Sequence, residues 1–405
     1  MRIDASNLLV IVLISSRRVS ATIAWLHPDQ GEKVVAHKAI DCHWQSLTDR
    51  GRNQVVADAV QLASDSAGVQ ALSAYIAMAD HSLASTVAIG IADLGQDMPL
   101  TQSDRDQALL RARHQAIGDD RELVHALPVL WTVRSRQGER EVPDPIGERG
   151  SRLTVHALLI TARKGYRDEL ARLLDGCGLH LDGVIAPPLA LWHGISGKLA
   201  KRGNALVVDV GARHTSIIVH RRGRLWFLQS YPFGGDTLTA RLADELKIPP
   251  DHAEDLKFEL DIGAQGSGAG DLEGQQYLWR DVQERHRLMG PAARVCATAL
   301  REFFAARVKE LRAQELIAQS GQVHLVGRGA ALGGMASFLR EIFDLPVVLG
   351  TGARDREPSA ELVDLLISGV VRAAADERRG ELAERGSGMR HAVGNAWGWL
   401  VRSLE

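Results

Sequence analysis

Val207-Val208-Asp209-Val210-Gly211 is an apolar run closed by a carboxylate and a glycine. The preceding residues extend it into a strand at 205–210 that is buried on both faces. A glycine turn after a buried strand lets backbone N–H groups approach phosphate oxygens, and a carboxylate at that point can order Mg²⁺ through water. Taken alone, the pentapeptide serves equally well as a plain turn. Working outward, strands at 215–221 and 224–231 follow as antiparallel neighbours, joined by Arg222-Gly223. Gly234-Gly235-Asp236-Thr237 precedes a helix at 237–246, and Pro249-Pro250-Asp251 starts another at 253–260. Glu254 and Lys257 lie three apart on one face of that helix. They are spaced to hold ribose hydroxyls and a purine edge, or to form a surface ion pair worth less than about 1 kcal/mol. Residues 323–335 then read strand, Gly327-Arg328-Gly329, helix, followed by Gly333-Gly334. Glycines at a strand-to-helix junction bring backbone against a flat ring or a phosphate. The candidate nucleotide residues are therefore Asp209, Gly211, Gly234, Gly235, Glu254, Lys257, Gly327 and Gly329.

Upstream, 8–14 and 19–26 suggest an opening hairpin, and 53–67 a helix. A compact α+β unit follows. It has a strand at 86–91, a helix at 104–116 capped by Ser103, short strands at 124–127 and 130–134 broken by Pro128, a turn at 142–147, and a strand at 153–161 carrying His156. Helices are expected at 165–176, 189–194, 291–318 and 359–375, with an exposed glycine- and serine-rich loop at 263–274.

The chain has 405 residues, 45% hydrophobic and 24% charged, which is ordinary for a soluble globular protein long enough for two or three domains. A net charge of −2 supplies no field for nucleic acid. Cys42, Cys177 and Cys296 lack metal-ligand spacing and read as buried thiols of a reducing compartment. The apolar run 8–14 is far shorter than the roughly 20 residues that span a bilayer. With Asp4 before it, Arg17 and Arg18 after it and no small-residue cleavage site, it does not read as a signal peptide.

The last sixteen residues carry a second signal. Val393, Ala396, Trp397, Leu400, Val401 and Leu404 form one stripe at helical pitch, with Trp399 at its boundary, behind the glycine-bearing stretch 384–388. Such a helix is built either to lie in a membrane interface or to pack back on the body. Arg390 and Arg402 are offset by Glu405 and the terminal carboxylate, so membrane binding would rest on apolar burial. Each large side chain contributes about 1.5–3 kcal/mol at most, which makes one copy reversible and several copies stable.

In combination these pieces resemble a known family. Strand-Asp-Gly, the Gly234-Gly235 turn, the Glu254/Lys257 helix and strand-Gly-x-Gly-helix, in that order, resemble the actin/Hsp70 ATPase fold. The stretch from Asp144 to Leu153, with Val155-His156 after it, resembles the insert domain peculiar to FtsA, the bacterial actin homologue of cell division. Gly176-Cys177-Gly178-Leu179, Pro188-Leu189-Ala190, Glu357-Pro358-Ser359 and the terminal Trp-Gly-Trp-Leu-Val-Arg are similar to the same family. The resemblance covers roughly residues 80–405.

It implies an α/β, actin-like two-lobed ATPase fold with an FtsA-type α+β insert domain and a C-terminal amphipathic helix. The boundaries expected are 1–84 and 164–204 for the first lobe, 85–163 for the insert, and 205–350 for the second lobe with its upper subdomain at about 237–318. Beyond these lie 351–376 as a last body helix, 377–388 as linker and 389–405 as the membrane-targeting helix, through Val393, Trp397, Trp399, Leu400, Val401 and Leu404. FtsA-like proteins polymerise on the cytoplasmic face of the inner membrane at the division site, bind ATP and tether the C-terminal peptide of FtsZ. The implied partners are FtsZ, lipid, further copies of the chain and other divisome proteins, and no nucleic acid. Arg294 and Arg301, on the long helix, are the implied FtsZ contacts, or else solvated helix charges. An active division ATPase and a PilM-like pilus-assembly adaptor are the alternatives, and the latter is not expected to carry the terminal helix.

The chain departs from the family at both phosphate loops. An Asp-Ile-Gly-Thr type turn is matched by Leu13-Ile14-Ser15-Ser16, and Gly-Gly-Thr by Ala212-Arg213-His214, with Ser216 in place of a later Asp. Leucine cannot position Mg²⁺ or its waters, and serine hinders the close backbone approach. Arg213 either replaces the metal's charge or fills the pocket. Hydrolysis needs an ordered water and a metal, so the expectation is weak ATPase or none, ATP held loosely or not at all, no Mg²⁺ site and no catalytic residue.

Overall fold

The structure, a computed structural model, describes residues 7–27, 31–115, 117–199, 203–262, 282–317, 320–350 and 360–386. In chain order the elements are β1 (Leu8–Ile14), β2 (Arg18–His27), β3 (Gly31–Asp41), α1 (Asp49–Ala67), β4 (Ser73–Met78), β5 (Ala84–Pro99), α2 (Gln102–Gln115), β6 (Arg121–Ser135), β7 (Gly138–Val142), β8 (Arg149–Arg163), α3 (Tyr166–Asp175), β9 (His180–Val184) and α4 (Pro187–Ile195). They continue with β10 (Asn204–Val210), β11 (Thr215–Arg221), β12 (Arg224–Tyr231), α5 (Gly235–Leu246), α6 (Pro250–Glu259), α7 (Val282–Ala313), β13 (Gln322–Val326), α8 (Met335–Phe343), β14 (Val347–Leu349) and α9 (Ala360–Gly386). The described chain divides into two compact units, one of residues up to 79, 165–195 and 365 onward, the other of 80–164 and 196–364.

The first unit is built on a five-stranded sheet ordered β3-β2-β1-β4-β9. β1 runs antiparallel to β2 and parallel to β4, so it is central and almost wholly buried, as its unbroken apolar run requires. The turn after it is tight, with the Ser15 amide donating to Arg18 O at 2.8 Å. α1 starts four residues before the position expected from periodicity because Thr48 caps it, accepting from Gly51 N at 3.2 Å. Where α4 meets α9, glycine permits contact of backbone with backbone. A Cβ at Gly369 would sit 2.0 Å from Ala190 O, and one at Gly194 would sit 2.3 Å from Leu365 O.

The second unit is built on a nine-stranded sheet ordered β14-β13-β10-β11-β12-β5-β8-β6-β7. β10 is parallel to β13 and antiparallel to β11. The hairpin between β11 and β12 turns on Arg222 and Gly223, both at positive φ (48° and 83°), the geometry whose twist matches the strands. α5, α6, α7 and α8 supply the apolar side chains that cover this half, among them Leu242, Leu256, Phe304 and Phe343. The other half, β5 to β8 with α2, has its own core of Trp131, Val133, Leu153 and Val155. Gly90 lets β5 approach α2, since a Cβ there would lie 1.8 Å from Ala108 O. The two halves share a single register pair, Gln229 opposite Ala84. The join is reinforced by Leu228 N donating to Ser85 Oγ at 2.8 Å, Ser230 N donating to Leu83 O at 2.9 Å, and the Arg224 guanidinium donating to Val129 O.

Several expectations are corrected. Pro128 does not break a strand: β6 is continuous, and the proline sits at a register shift where the ladder needs no donor. Ser103 lies inside α2, and the start of that helix is held instead by Thr101 and Asp104, which exchange hydrogen bonds. The long helix begins at Val282 rather than 291, with Pro291 inside it. Only Cys296 is buried, whereas Cys42 and Cys177 are half-buried. β3, β4 and β14 had no distinct pattern. The 263–274 loop, Glu357-Pro358-Ser359 and the entire 389–405 segment lie outside the described residues.

Candidate functional site

β10 and β13 run side by side in the second unit and end together. Asp209 pairs with Val326, and the chain after β13 turns back over β10. Gly327 (φ +84°) makes that turn possible. A Cβ there would be 2.3 Å from Asp209 Oδ1 and 2.6 Å from Val210 O, and one at Gly329 would be 2.3 Å from Val210 Cγ1. A short 3₁₀ turn, Arg328–Ala331, follows before α8. On the other side, Gly211 N donates to His214 O at 2.9 Å, and Gly235 N donates to Gly211 O at 3.0 Å. A Cβ at Gly234 would clash with Ala212 O at 2.5 Å. The glycines expected from sequence thus line one backbone cradle, walled by the ends of β10 and β13 and the start of α5.

Lys257 and Glu254 reach the same cradle from α6. The Lys257 ammonium donates to Glu254 Oε2 at 2.6 Å, Thr239 Oγ1 at 2.8 Å and Gly235 O at 3.1 Å. The residue is 7% exposed, which rules out a surface ion pair. Its ammonium pins the first carbonyl of α5, and its charge is compensated locally, as burial demands. Cys296 is the buried thiol whose charge state Lys257 also influences; burial pushes it up to about 12.

Asp209 is the cradle's carboxylate. It finds no hydrogen-bond or ion-pair partner among the described residues, and desolvation pushes its carboxyl up to about 6. At the mouth, the amides of Ala212, Arg213 and His214 donate to no acceptor among the described residues. Arg213 is exposed. His214 lies parallel to His81, ring centroids 6.3 Å apart at 12°. Burial first, then the Arg213 and His81 charges, hold His214 below the usual histidine range, with Asp80 opposing.

The free N–H donors and the cationic side chain fit a phosphate group, while the glycines serve close packing of backbone on backbone, since a Cβ at Gly234, Gly327 or Gly329 would strike protein atoms. Asp209 supplies one carboxylate, which can order a hydrated Mg²⁺ beside a phosphate but cannot by itself cage a metal. No group of three His, Cys, Asp or Glu side chains able to hold a metal occurs among the described residues. In the first unit, Leu13 is paired within the ladder opposite Ser20 and Ala77.

A second feature lies on α7. Arg301, Ala305, Val308, Lys309, Arg312 and Ile342 line a cleft of about 460 Å³ between α7 and α8. Arg301 donates to Glu341 Oε1 at 3.1 Å and lies over the Phe338 ring at 5.4 Å. Arg294 is exposed two turns earlier, outside the cleft's lining. Sequence reading found Arg301 but missed Lys309 and Arg312, whose spacing of eight and eleven from Arg301 already places them on one helical stripe.

The paired sheet ends, the glycine cradle and the inserted second core define an actin-like ATPase fold. A solved chain of the PilM-PilN type IV pilus biogenesis complex shares it, with TM-score 0.56 and 16% identity over 90% of this chain and 98% of that one. The family model "Cell division protein FtsA" matches residues 206–366, and "SHS2 domain inserted in FTSA" matches 81–161, together more than half the chain. The cell division protein FtsA of Pseudomonas aeruginosa is 26% identical over 80% of this chain and 75% of its own length. That of Escherichia coli K12 is 23% identical over 85% of this chain and 84% of its own. The chain belongs to the FtsA family.

Proposed function

We propose that this chain is a division scaffold that gathers the C-terminal peptide of FtsZ at the cytoplasmic face of the inner membrane, polymerises there, and works with little or no ATP hydrolysis. The observation that carries this reading is the cleft between α7 and α8. It sets Arg301, Lys309 and Arg312 around the apolar surface of Ala305, Val308 and Ile342. An acidic peptide with apolar anchors is the partner that such a surface complements. The sequence of 389–405 supports the membrane half: an apolar stripe with two tryptophans and no net basic charge binds by insertion rather than by attraction to anionic lipid. The reading of reduced turnover is supported by Leu13 and Ser15, which stand in place of the family's Asp and Gly.

Co-sedimentation of the full chain with neutral lipid vesicles and FtsZ tests both halves. The vesicles should pellet the chain and, through it, FtsZ. Removal of residues 389–405 should leave both in the supernatant. Charge reversal of Lys309 and Arg312 to Glu should leave the chain on the vesicles and release FtsZ, weakening the contact at least tenfold. Retention of FtsZ by the charge-reversed chain would overturn the peptide site, and pelleting of the truncated chain would overturn the anchor.

A further inference from the structure

We propose that the cavity between the second half of α1, the segment leading into β4 and the turn after α3 is a docking site for an extended peptide that carries an apolar and a basic side chain. It lies wholly within the first unit and has a volume of about 500 Å³. Ser64 lines it and is only 5% exposed, yet its hydroxyl has no hydrogen-bond partner among the described residues. A helical hydroxyl ordinarily bonds back to a carbonyl about one turn earlier. Thr239 does so in α5, donating to Gly235 O at 3.0 Å, and Ser368 does so in α9, donating to Leu365 O at 3.0 Å. Ser64 does not, and a buried hydroxyl left unpaired is unfavourable until a ligand completes it.

The rim supplies what a peptide main chain needs. The amides of Gln70, Ala71 and Leu72 donate to no acceptor among the described residues, while Leu72 O accepts from His180 N at 3.0 Å. The segment is thus tied to β9 by a carbonyl and keeps its N–H groups for an incoming chain, whose carbonyl oxygens meet them as in strand addition. A hydroxyl both donates and accepts, so either group of that chain completes Ser64. Leu72, 66% exposed, forms an apolar wall with Val69 and Leu179, and covering it from water favours an apolar side chain. Asp65 is the one acidic or basic side chain of the lining. Its Oδ1 accepts from Gln61 Nε2 at 2.7 Å, which leaves Oδ2 for a cation. Asp58, seven residues earlier on the same helical face, adds to the negative field. Cys177 brings no charge, because burial pushes its thiol up to about 11 and it donates to Leu173 O at 3.1 Å. The complement of such a lining is a lysine or arginine.

The site is independent of the nucleotide cradle and of the cleft between α7 and α8, both of which belong to the other unit. The test is amide NMR of the isotope-labelled full chain titrated with the acetylated, amidated peptides Leu-Ala-Lys-Ala and Lys-Ala-Leu-Ala, which present the two side chains in either chain direction. At least one should bind saturably, with a Kd of about 1 mM or tighter, and should shift the Gln70, Ala71 and Leu72 amides. Glutamate in place of its lysine should weaken binding about tenfold. Asp65→Asn and Leu72→Glu, both at exposed positions, should each weaken it about fivefold with unchanged circular dichroism. Ser64→Ala should weaken it by a similar factor while the midpoint of thermal unfolding of the free chain stays level or rises, because an unpaired buried hydroxyl has gone. A hydroxyl that merely supports the fold would lower that midpoint, and such a result overturns the proposal. So does the absence of saturable shifts with both peptides, equal binding of the glutamate peptide, or shifts that leave residues 70–72 unmoved. The three variants should still hold FtsZ on vesicles, and loss of FtsZ by any of them would overturn the independence of the site.

Discussion

Asp209 shows how one residue couples the cradle to stability. Its folded-state carboxyl, near 6, lies above the ordinary value of about 3.9 for an unfolded chain. The native state therefore holds a proton that the unfolded state has released, and stability falls as pH rises from about 4 to 6. Above pH 7 the fold carries an unpaired, desolvated charge. Asp209→Asn should raise stability at pH 8 by about 2 kcal/mol, and the gain should shrink as pH is lowered through 6 toward 4. Urea unfolding at several pH values measures it, and a gap constant with pH contradicts the account. Lys257 is the complementary case: with its charge compensated by Glu254, Glu254→Gln should be destabilising, by about 3 kcal/mol. The glycines and Asp209 were legible in the sequence because each carries a distinct backbone or charge signature. His81 was not, since nothing in a lone histidine at the root of the insert announces a neighbour more than a hundred residues away.

At the scale of elements, the helix crossing of α4 and α9 is set by what is missing from Gly194 and Gly369. Gly369→Ala places a methyl 2.0 Å from the Ala190 carbonyl. It should destabilise the first unit by about 1–3 kcal/mol through overpacking. Gly197→Ala, where a Cβ meets nothing within 4 Å, should be near neutral or slightly stabilising in the same denaturation series. Elements with strong local grammar were readable: the buried run of β10, the Arg222-Gly223 hairpin, the glycine at the end of α3. Errors fell where tertiary context overrides local signal. Pro128 reads as a breaker, yet a bulge accommodates it in β6. Thr101 and Asp104 outcompete Ser103 for the start of α2. β14 is three residues long and exists because β13 offers it an edge.

Across the whole molecule, the order of motifs carried more information than any motif. Family membership was legible from pieces spread between Asp144 and Arg402, each weak alone. What composition and periodicity could not reveal is that the insert's strands continue the sheet holding the cradle. That junction predicts its own observable. Removing its side-chain staples with Ser85→Ala and Arg224→Ala should speed amide exchange at Leu228 and Ser230, while β8, inside the insert's own core, stays protected. Equal acceleration in both would mean the halves open as one block.

A ladder of many rungs resists twist along its whole length, but the bridge from β12 to β5 has one rung, Gln229 against Ala84. Three bonds beside that rung, from Leu228 N, Ser230 N and the Arg224 guanidinium, make the junction a buckle rather than a seam. Load placed on the insert would reach β12 through those few bonds and not along a continuous ladder.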